Sequence, residues 1–510
     1  VHLTTKYNKM RADEIKMNPN KLVKHLQKAA SQFTKDDIIQ FIVDNNIEML
    51  NFRYIAGDGK LKTLNFVITS LEHLDTILTE GERVDGSSLF SYIGTGSSDL
   101  YVVPKYRTAF VNPFAEVPTL DILCSFYTNT GEPLKSAPEY ILKKAHQVFK
   151  NATGFKFKAL GELEYYVMSE KYDRYPAIDQ RGYHSAPPFT NWEDLRIEAL
   201  KIISESGGKI KYAHSEVGNF TTNEESFEQH EIEFLPQDVE DSADQLVIAK
   251  WILRMLGDKY KARISFAPKI TVGKAGSGLH IHMLIEKDGK NLMLENNKLS
   301  DISKKVIAGL LDLAAPLTAF GNTIPTSYLR LVPHQEAPTN ICWGDRNRSV
   351  LVRVPLGWIG VTNMIFDANP QDKSPALRAS SKQTVEFRAP DGSADIHYLL
   401  SGLVIAAQHG LEMKDSLKKA EDLYVDVNIF NEENAKKLAS LDTLPTSCWE
   451  SALALDKYRQ YFEKNSVFSK GSIDNIIEML KSYDDKNLSE TLFGNADEIR
   501  QLVDKYLHCK

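Results

Sequence analysis

Four short segments of this chain each carry two functional side chains two residues apart. They are Glu162 and Glu164 in GELEYYVM, Glu231 and Glu233 in EQHEIEFLP, His280 and His282 in GSGLHIHML, and Glu386 and Arg388 in QTVEFRAP. In a β-strand, side chains at i and i+2 leave the same face. Each segment therefore aims two charged or ligating groups one way, while Leu163, Ile232, Ile281 and Phe387 point the other. A soluble sheet often has a polar wet face, so one such pair means little. Four pairs built from Glu, His and Arg, with almost no Lys or Ser, describe one wall of a cavity for metal ions and phosphate.

At 510 residues the chain exceeds one ordinary domain. Its 42% hydrophobic and 25% charged content is that of a globular, soluble protein. A net charge of −7, with no basic stretch, argues against a nucleic-acid partner. No run approaches the ~20 apolar residues that span a membrane, and the opening segment lacks the apolar core of a signal peptide. Cys124, Cys342, Cys448 and Cys509 form neither a C-x-x-C pair nor a disulfide framework. These features together predict a protein of the reducing cytoplasm, with no membrane association.

The pattern along the chain predicts three regions. Residues 1–44 read as an N-terminal helical extension. Residues 45–135 read as a small α+β domain, with two strands around the Gly57-Asp58-Gly59 turn, a helix in LEHLDTILTEG and a further strand. Residues 136–510 alternate strands and helices and become helical after 396. SAPEYILKKAHQVFKNATG reads as a helix stopped at Gly154.

Glu162, Glu164, Glu216, Glu231, His280 and Glu386 offer five carboxylates and one imidazole. Zinc favours Cys and His, whereas an oxygen-rich set favours Mg²⁺ or Mn²⁺ and has ligands enough for two ions. The bland alternative is a surface acidic cluster. There is no phosphate-binding G-x-x-x-x-G-K-[ST] loop, but Arg330, Arg346, Arg348 and Arg353 form a dense group without an intervening Lys, and Arg388 follows. Arginine suits bidentate binding of carboxylate and phosphoryl oxygens. No G-x-S-x-G elbow or Cys–His pairing signals a nucleophile. Acids, metals and arginines without a nucleophile fit phosphoryl transfer, in which positioning and charge neutralisation carry catalysis.

From about residue 40 to 465 the chain resembles the glutamine synthetase family, type I. The runs VDGSS, SSDLYVVP, GELEYY, HSEV, QHEIEF, FAPK, GSGLHIH, RLVPHQEAP, RNRSVLVRVP and VEFRAPDGSAD carry the resemblance in order. It implies an α+β fold: a β-grasp-like N-terminal domain on a larger catalytic domain with a curved antiparallel sheet and helices. The reaction implied is ATP-driven ligation of ammonia to glutamate through γ-glutamyl phosphate. Glu164, Glu216 and Glu231 would hold one Mg²⁺ or Mn²⁺ facing glutamate and ammonia; Glu162, His280 and Glu386 would hold another nearer the ATP phosphates. Arg330 would pair with the substrate α-carboxylate beside Gly276. Arg348, Arg353 and Arg388 would neutralise the transferred phosphoryl group, and His282 would face the nucleotide. Glu336 matches the flap acid that closes over the intermediate. Asp85 matches an aspartate that helps deprotonate ammonium, contributed by a neighbouring subunit in a homo-oligomer of two stacked hexameric rings.

Several positions depart from the family pattern. Lys274 and Ala275 stand where an Asp-Asn pair is common, and that asparagine contacts the amino-acid substrate. Leu284 replaces an expected serine, and Lys211 replaces an acid on the nucleotide side. Extra residues (IGVTNMIFDANPQDKSPALRASSKQ) separate Arg353 from Glu386, displacing a basic phosphate contact whose counterpart is expected at Lys382, and residues 217–230 form a longer connection than usual. Tyr424 sits near the family's adenylylation tyrosine, but its flanks do not match. The departures at 274 and 275 favour an alternative, a γ-glutamyl amide ligase using a larger amine; a catalytically silent member of the fold is a further alternative, disfavoured because every metal and arginine position survives.

Overall fold

The computed structural model describes residues 12–94, 98–172, 174–175, 178–332, 337–355, 364–372, 382–428, 431–492 and 495–510. Glu336, and the insertion after Arg353 except 364–372 and 382–383, lie outside them.

The first sheet comprises β1 (Met49–Ile55), β2 (Leu61–Val67), β3 (Glu82–Asp85), β4 (Asp99–Pro104), β5 (Phe110–Val111) and β6 (Thr119–Thr128), ordered β2-β1-β6-β4-β3 with β5 on β6. The β1–β2 hairpin turns at Gly59, whose φ of +73° suits glycine. β1 pairs with β6 in parallel, a connection that requires a crossover, and the helix Leu71–Glu80 lies within it. Ser70 caps that helix by accepting from the His73 N–H, and its apolar face buries Leu74, Ile77 and Leu78. This strand–hairpin–helix arrangement grasped by one mixed sheet is a β-grasp.

The second sheet holds β7 (Lys156–Glu170), β8 (Ile210–Thr221), β9 (Glu225–Phe234), β10 (Gln237–Asp238), β11 (Arg263–Ser265), β12 (Leu279–Lys287), β13 (Lys290–Asn291), β16 (Trp343–Asp345), β17 (Val352–Val354) and β18 (Val385–Phe387). A separate ribbon pairs β14 (Leu294–Glu295) with β15 (Lys298–Leu299). The order is β16-β17-β18-β12-β7-β9-β8, antiparallel except for β16–β17. Leu163, Ile232, Ile281 and Phe387 are all fully buried in one core. That core is covered by the helix Val239–Lys259, whose Leu246 packs where a side chain on Gly161 would stand. The helix Ile396–Glu412, apolar nearly all round and buried along most of its length, lies deeper. The sequence pattern reads one helix from Tyr398 to Leu417, but Met413 adopts extended geometry and a second helix starts at Ser416.

The two sheets are tied by charge. Lys105 Nζ stands 3.0 Å from Asp244 of the helix Val239–Lys259, and Arg107 adds a second contact. Among the described residues no helix is long and apolar enough to cross a membrane.

Candidate active site

Because strand register is set by burying one face, the polar pairs fall into rows across the second sheet. Tyr212, Glu233, Glu162 and His280 are successive partners on β8, β9, β7 and β12. His214, Glu231 and Glu164 form the next row. His282, Glu386 and Arg353 form a third across β12, β18 and β17. Glu216 falls where the β8–β9 register shifts between Ser215 and Asn219, and such irregularities re-aim side chains.

Among the described residues, three groups of ligand-type atoms result, each within 4.8 Å: Glu162, His280 and Glu386; Glu162, Glu233 and His282; and His214, Glu216 and Glu231. Glu162 joins the first two, 2.9 Å from His280 Nδ1 and 2.8 Å from His282 Nε2. Glu164 stands beside the third group. Its Oε2 accepts from the Gly278 N–H at 2.8 Å and from Gln229 Nε2 at 3.1 Å, and its Oε1 lies 3.9 Å from His280. His214 and Gln229 were not singled out from sequence, although each lies two residues from an acid on its own strand (Glu216, Glu231) and so carries the same spacing signal. His214 Nδ1 lies 3.0 Å from the Ser215 carbonyl, leaving Nε2 turned toward Glu231 at 3.5 Å.

The two ends of this wall differ in charge balance. Burial raises the Glu231 carboxyl, and its neighbours Glu162, Glu164, Glu216 and Glu233 push it further, well above the usual range. Burial would also raise Glu162 and Glu386. For Glu162, His282 and His280 reverse that; for Glu386, His282 and Arg388 do so despite the Glu162 charge, and both carboxyls end below their ordinary value. Glu386 receives Arg353 Nη1 at 2.9 Å and Arg388 Nε at 3.0 Å. The protein neutralises one end itself and leaves the other short of positive charge. A divalent cation fits such a donor set, and Arg353 Nε, buried with no acceptor among the described residues, is a donor available to an anion.

Arg330 sits on the short helix Ser327–Arg330, 4% exposed, and donates to the Ala389 carbonyl at 2.7 Å. Gly278 must lack a side chain, because a Cβ there would stand 2.6 Å from Arg330 Nη2 and 2.7 Å from His280 Nε2. Arg330, Lys269, Ala275, Gly276, Glu164 and Arg388 line a cavity of about 40 Å³, room for a few waters. The turn carrying Gly276 is tethered: Gln229 Nε2 donates to the Gly276 carbonyl, the Ala275 N–H donates to Gln180 Oε1 at 2.7 Å, and Lys274 pairs with Asp179. Tyr183, another residue the sequence did not single out, lies half-exposed against His184 and edge-on to His214, 5.3 Å between centroids. Arg348 is exposed, and its carbonyl accepts from Arg388. Lys382 is exposed. Asp85 lies apart, exposed at the end of β3. Hydrogen bonds from the Ser87 hydroxyl, the Ser88 hydroxyl and the Ser87 N–H lower its pKa to about 2.

A sheet wall of carboxylates and imidazoles flanked by arginines is the kind of lining that metal-assisted phosphoryl-transfer enzymes use. Residues 135–493 match the glutamine synthetase catalytic domain and residues 46–129 its beta-Grasp domain, so this chain belongs to the glutamine synthetase family. Glutamine synthetase of Azorhizobium caulinodans is 28% identical over 481 residues, covering 88% of this chain and 95% of the relative. That of Methanococcus maripaludis is 27% identical over 455 residues, covering 87% and 94%. Among solved structures, Plasmodium falciparum glutamine synthetase superposes with a TM-score of 0.72 at 20% identity, covering 90% of this chain and 99% of the other. Apo GmaS superposes at 0.70 with 16% identity, covering 91% and 98%. The α+β fold implied by the sequence resemblance is the fold observed: a β-grasp domain with a catalytic domain built on a curved, largely antiparallel sheet and helices.

Proposed function

We propose that this chain is a glutamate–ammonia ligase: it joins ammonia to L-glutamate with ATP, through γ-glutamyl phosphate, giving L-glutamine, ADP and phosphate. The observation that carries this reading is the graded wall itself, with carboxylates short of cations at one end and Glu386 clamped between two arginines at the other. Glutamate's γ-carboxylate oxygen attacks the terminal phosphorus, and the bond to ADP breaks. Ammonia then attacks the acyl carbon, loses a proton, and phosphate leaves.

Glu162, His280 and Glu386 hold one Mg²⁺ or Mn²⁺ at the nucleotide end. Glu164, Glu216 and Glu231, with His214 beside them, hold another at the amine end. Bound there, these ions supply charge neutralisation for the phosphates and the γ-carboxylate. Arg330 pairs with the substrate α-carboxylate beside Gly276. Arg348, Arg353 and Arg388 take the charge of the transferred phosphoryl group, and His282 faces the nucleotide. Glu336 shields the acyl phosphate from water. Asp85, held ionised by its serines, attracts ammonium as a fixed anion; a carboxylate of so low a pKa is a better cation partner than a proton acceptor. It acts across a subunit boundary in a homo-oligomer, a dodecamer of two hexameric rings, in the cytoplasm.

Lys274 and Ala275 favour a second reading, in which a larger amine replaces ammonia. A competition assay separates the two: glutamate, ATP and equal ammonium and amine are supplied, and the product is weighed. Glutamine as the dominant product supports ammonia. A γ-glutamyl amine with little glutamine establishes the second reading, and no phosphate release with any acceptor leaves the silent, structural one.

A further inference from the structure

Of the three ligand groups on the sheet, the ligase reading uses two. The third, Glu162, Glu233 and His282, contains the one member of the original strand pairs without a role, Glu233. Glu233 is 3% exposed, and it faces the Tyr212 hydroxyl: burial, then hydrogen bonding to this carboxylate and its charge, push the tyrosine's pKa upward. A carboxylate buried this deeply among ligand-type atoms needs a cation beside it.

A lysine already reaches that position. Strand alternation would send Lys211 to the face opposite Tyr212. The β8–β9 register shifts between Ile210 and Tyr212, so Lys211 has no partner of its own on β9. A bulge turns the extra side chain out of alternation, and Lys211 Nζ stands 2.6 Å from Glu233 Oε1 and 4.8 Å from the centre of the Tyr212 ring. The Lys211 side chain is 42% exposed, so only its charged end is committed to the buried acid.

We propose that Lys211 is a tethered cation that closes the Glu162–Glu233–His282 group to divalent metal, so that this chain binds one ion fewer than its three ligand groups would accept. The inference rests on the two-ion reading of the other groups. An ammonium in contact with Glu233 supplies the positive charge that the carboxylate lacks, and it repels a divalent ion arriving among the same three side chains.

The test is the number of Mn²⁺ ions bound per chain, measured by equilibrium dialysis with metal quantitation on the full-length protein without nucleotide. The parent should bind about two ions and Lys211→Ala about three, in oxygen-rich sites of ordinary affinity. Lys211→Arg, which keeps the charge, should stay at the parent value, and the double variant Lys211→Ala/Glu233→Gln should return to it. Lys211→Gln, longer and polar but uncharged, repeats the measurement if the alanine variant fails to fold. An unchanged number in both neutral variants overturns the proposal. A parent that binds no Mn²⁺ overturns the two-ion reading instead; a gain of one ion on neutralising Lys211 would still support the tethered cation, and no gain would end it.

Discussion

Two carboxylates on one wall answer the same substitution in opposite ways. Glu231 is buried among four other acids, and two unit charges 4 Å apart repel by roughly 4 kcal/mol at an effective dielectric constant of about 20. Glu386, 1% exposed, is ringed by Arg353, Arg388, His280 and His282. In chelator, Glu231→Gln should therefore melt above the parent, because it removes a like charge. Glu386→Gln should melt below it, with a stability loss of about 3–5 kcal/mol, because it removes the anion that Arg353 and Arg388 share. Both should lose kcat by roughly 100-fold or more once metal is supplied. Thermal unfolding in metal-free buffer, paired with phosphate-release rates, checks this, and shifts of the same sign would contradict the charge map.

Elements in the helical layer lock through close backbone contact and one charge clamp. The helices Asp301–Asp312 and Ile396–Glu412 cross so tightly at Gly309 and Gly410 that a Cβ on either would collide with the other helix's backbone. At the end of this crossing Asp312 accepts from His409 Nε2 at 2.7 Å and pairs with Lys419 of the helix Ser416–Asp422. The His409 hydrogen bond, then Lys419 against the opposing effect of burial, brings its pKa to about 2. A carboxyl whose folded pKa lies below its unfolded value of about 3.9 contributes stability above that value, lost as pH falls toward the folded pKa. With the Asp312 side chain 21% and the Lys419 side chain 32% exposed, the clamp contributes about 1 kcal/mol after screening. Asp312→Asn should thus be less stable than the parent at neutral pH, and the two denaturant midpoints should converge as pH drops from about 4 to about 2. A gap that stays constant through that window would assign the effect to packing.

At the scale of the whole molecule, Asp85, the anion proposed to bind ammonium, and the ligand wall stand on different sheets. Asp85 ends β3 of the first sheet with its carboxylate exposed, whereas Glu231 is buried in the second. If Asp85 serves a neighbouring chain, co-assembled Asp85→Ala and Glu231→Ala subunits should recover part of the activity that each homogeneous variant lacks, since some interfaces then hold two intact halves. Light scattering should show a large closed assembly. A fully active monomer would remove the shared-site reading, and recovery absent from mixed assemblies would place Asp85 outside the site.

The period-two spacing of Glu162/Glu164, Glu231/Glu233, His280/His282 and Glu386/Arg388 was enough to assign strands, their wet face and the apolar residues behind it. Alternation is a property of each strand alone, readable without knowing its partners. The β-grasp and catalytic folds were legible only through the resemblance carried by ordered motifs. Register was not legible: which acid faces which imidazole depends on pairing between segments over a hundred residues apart, such as Glu162 with His280. Nor could spacing reveal that Lys211 and Glu216 lie at irregularities of β8, which break the very alternation that sequence reading relies on. Charge balance also came from the tertiary structure. Glu162 and Glu231 are the same residue type on neighbouring strands, yet one sits below and the other above the ordinary carboxylate range, because only packing decides which cations stand beside a buried acid.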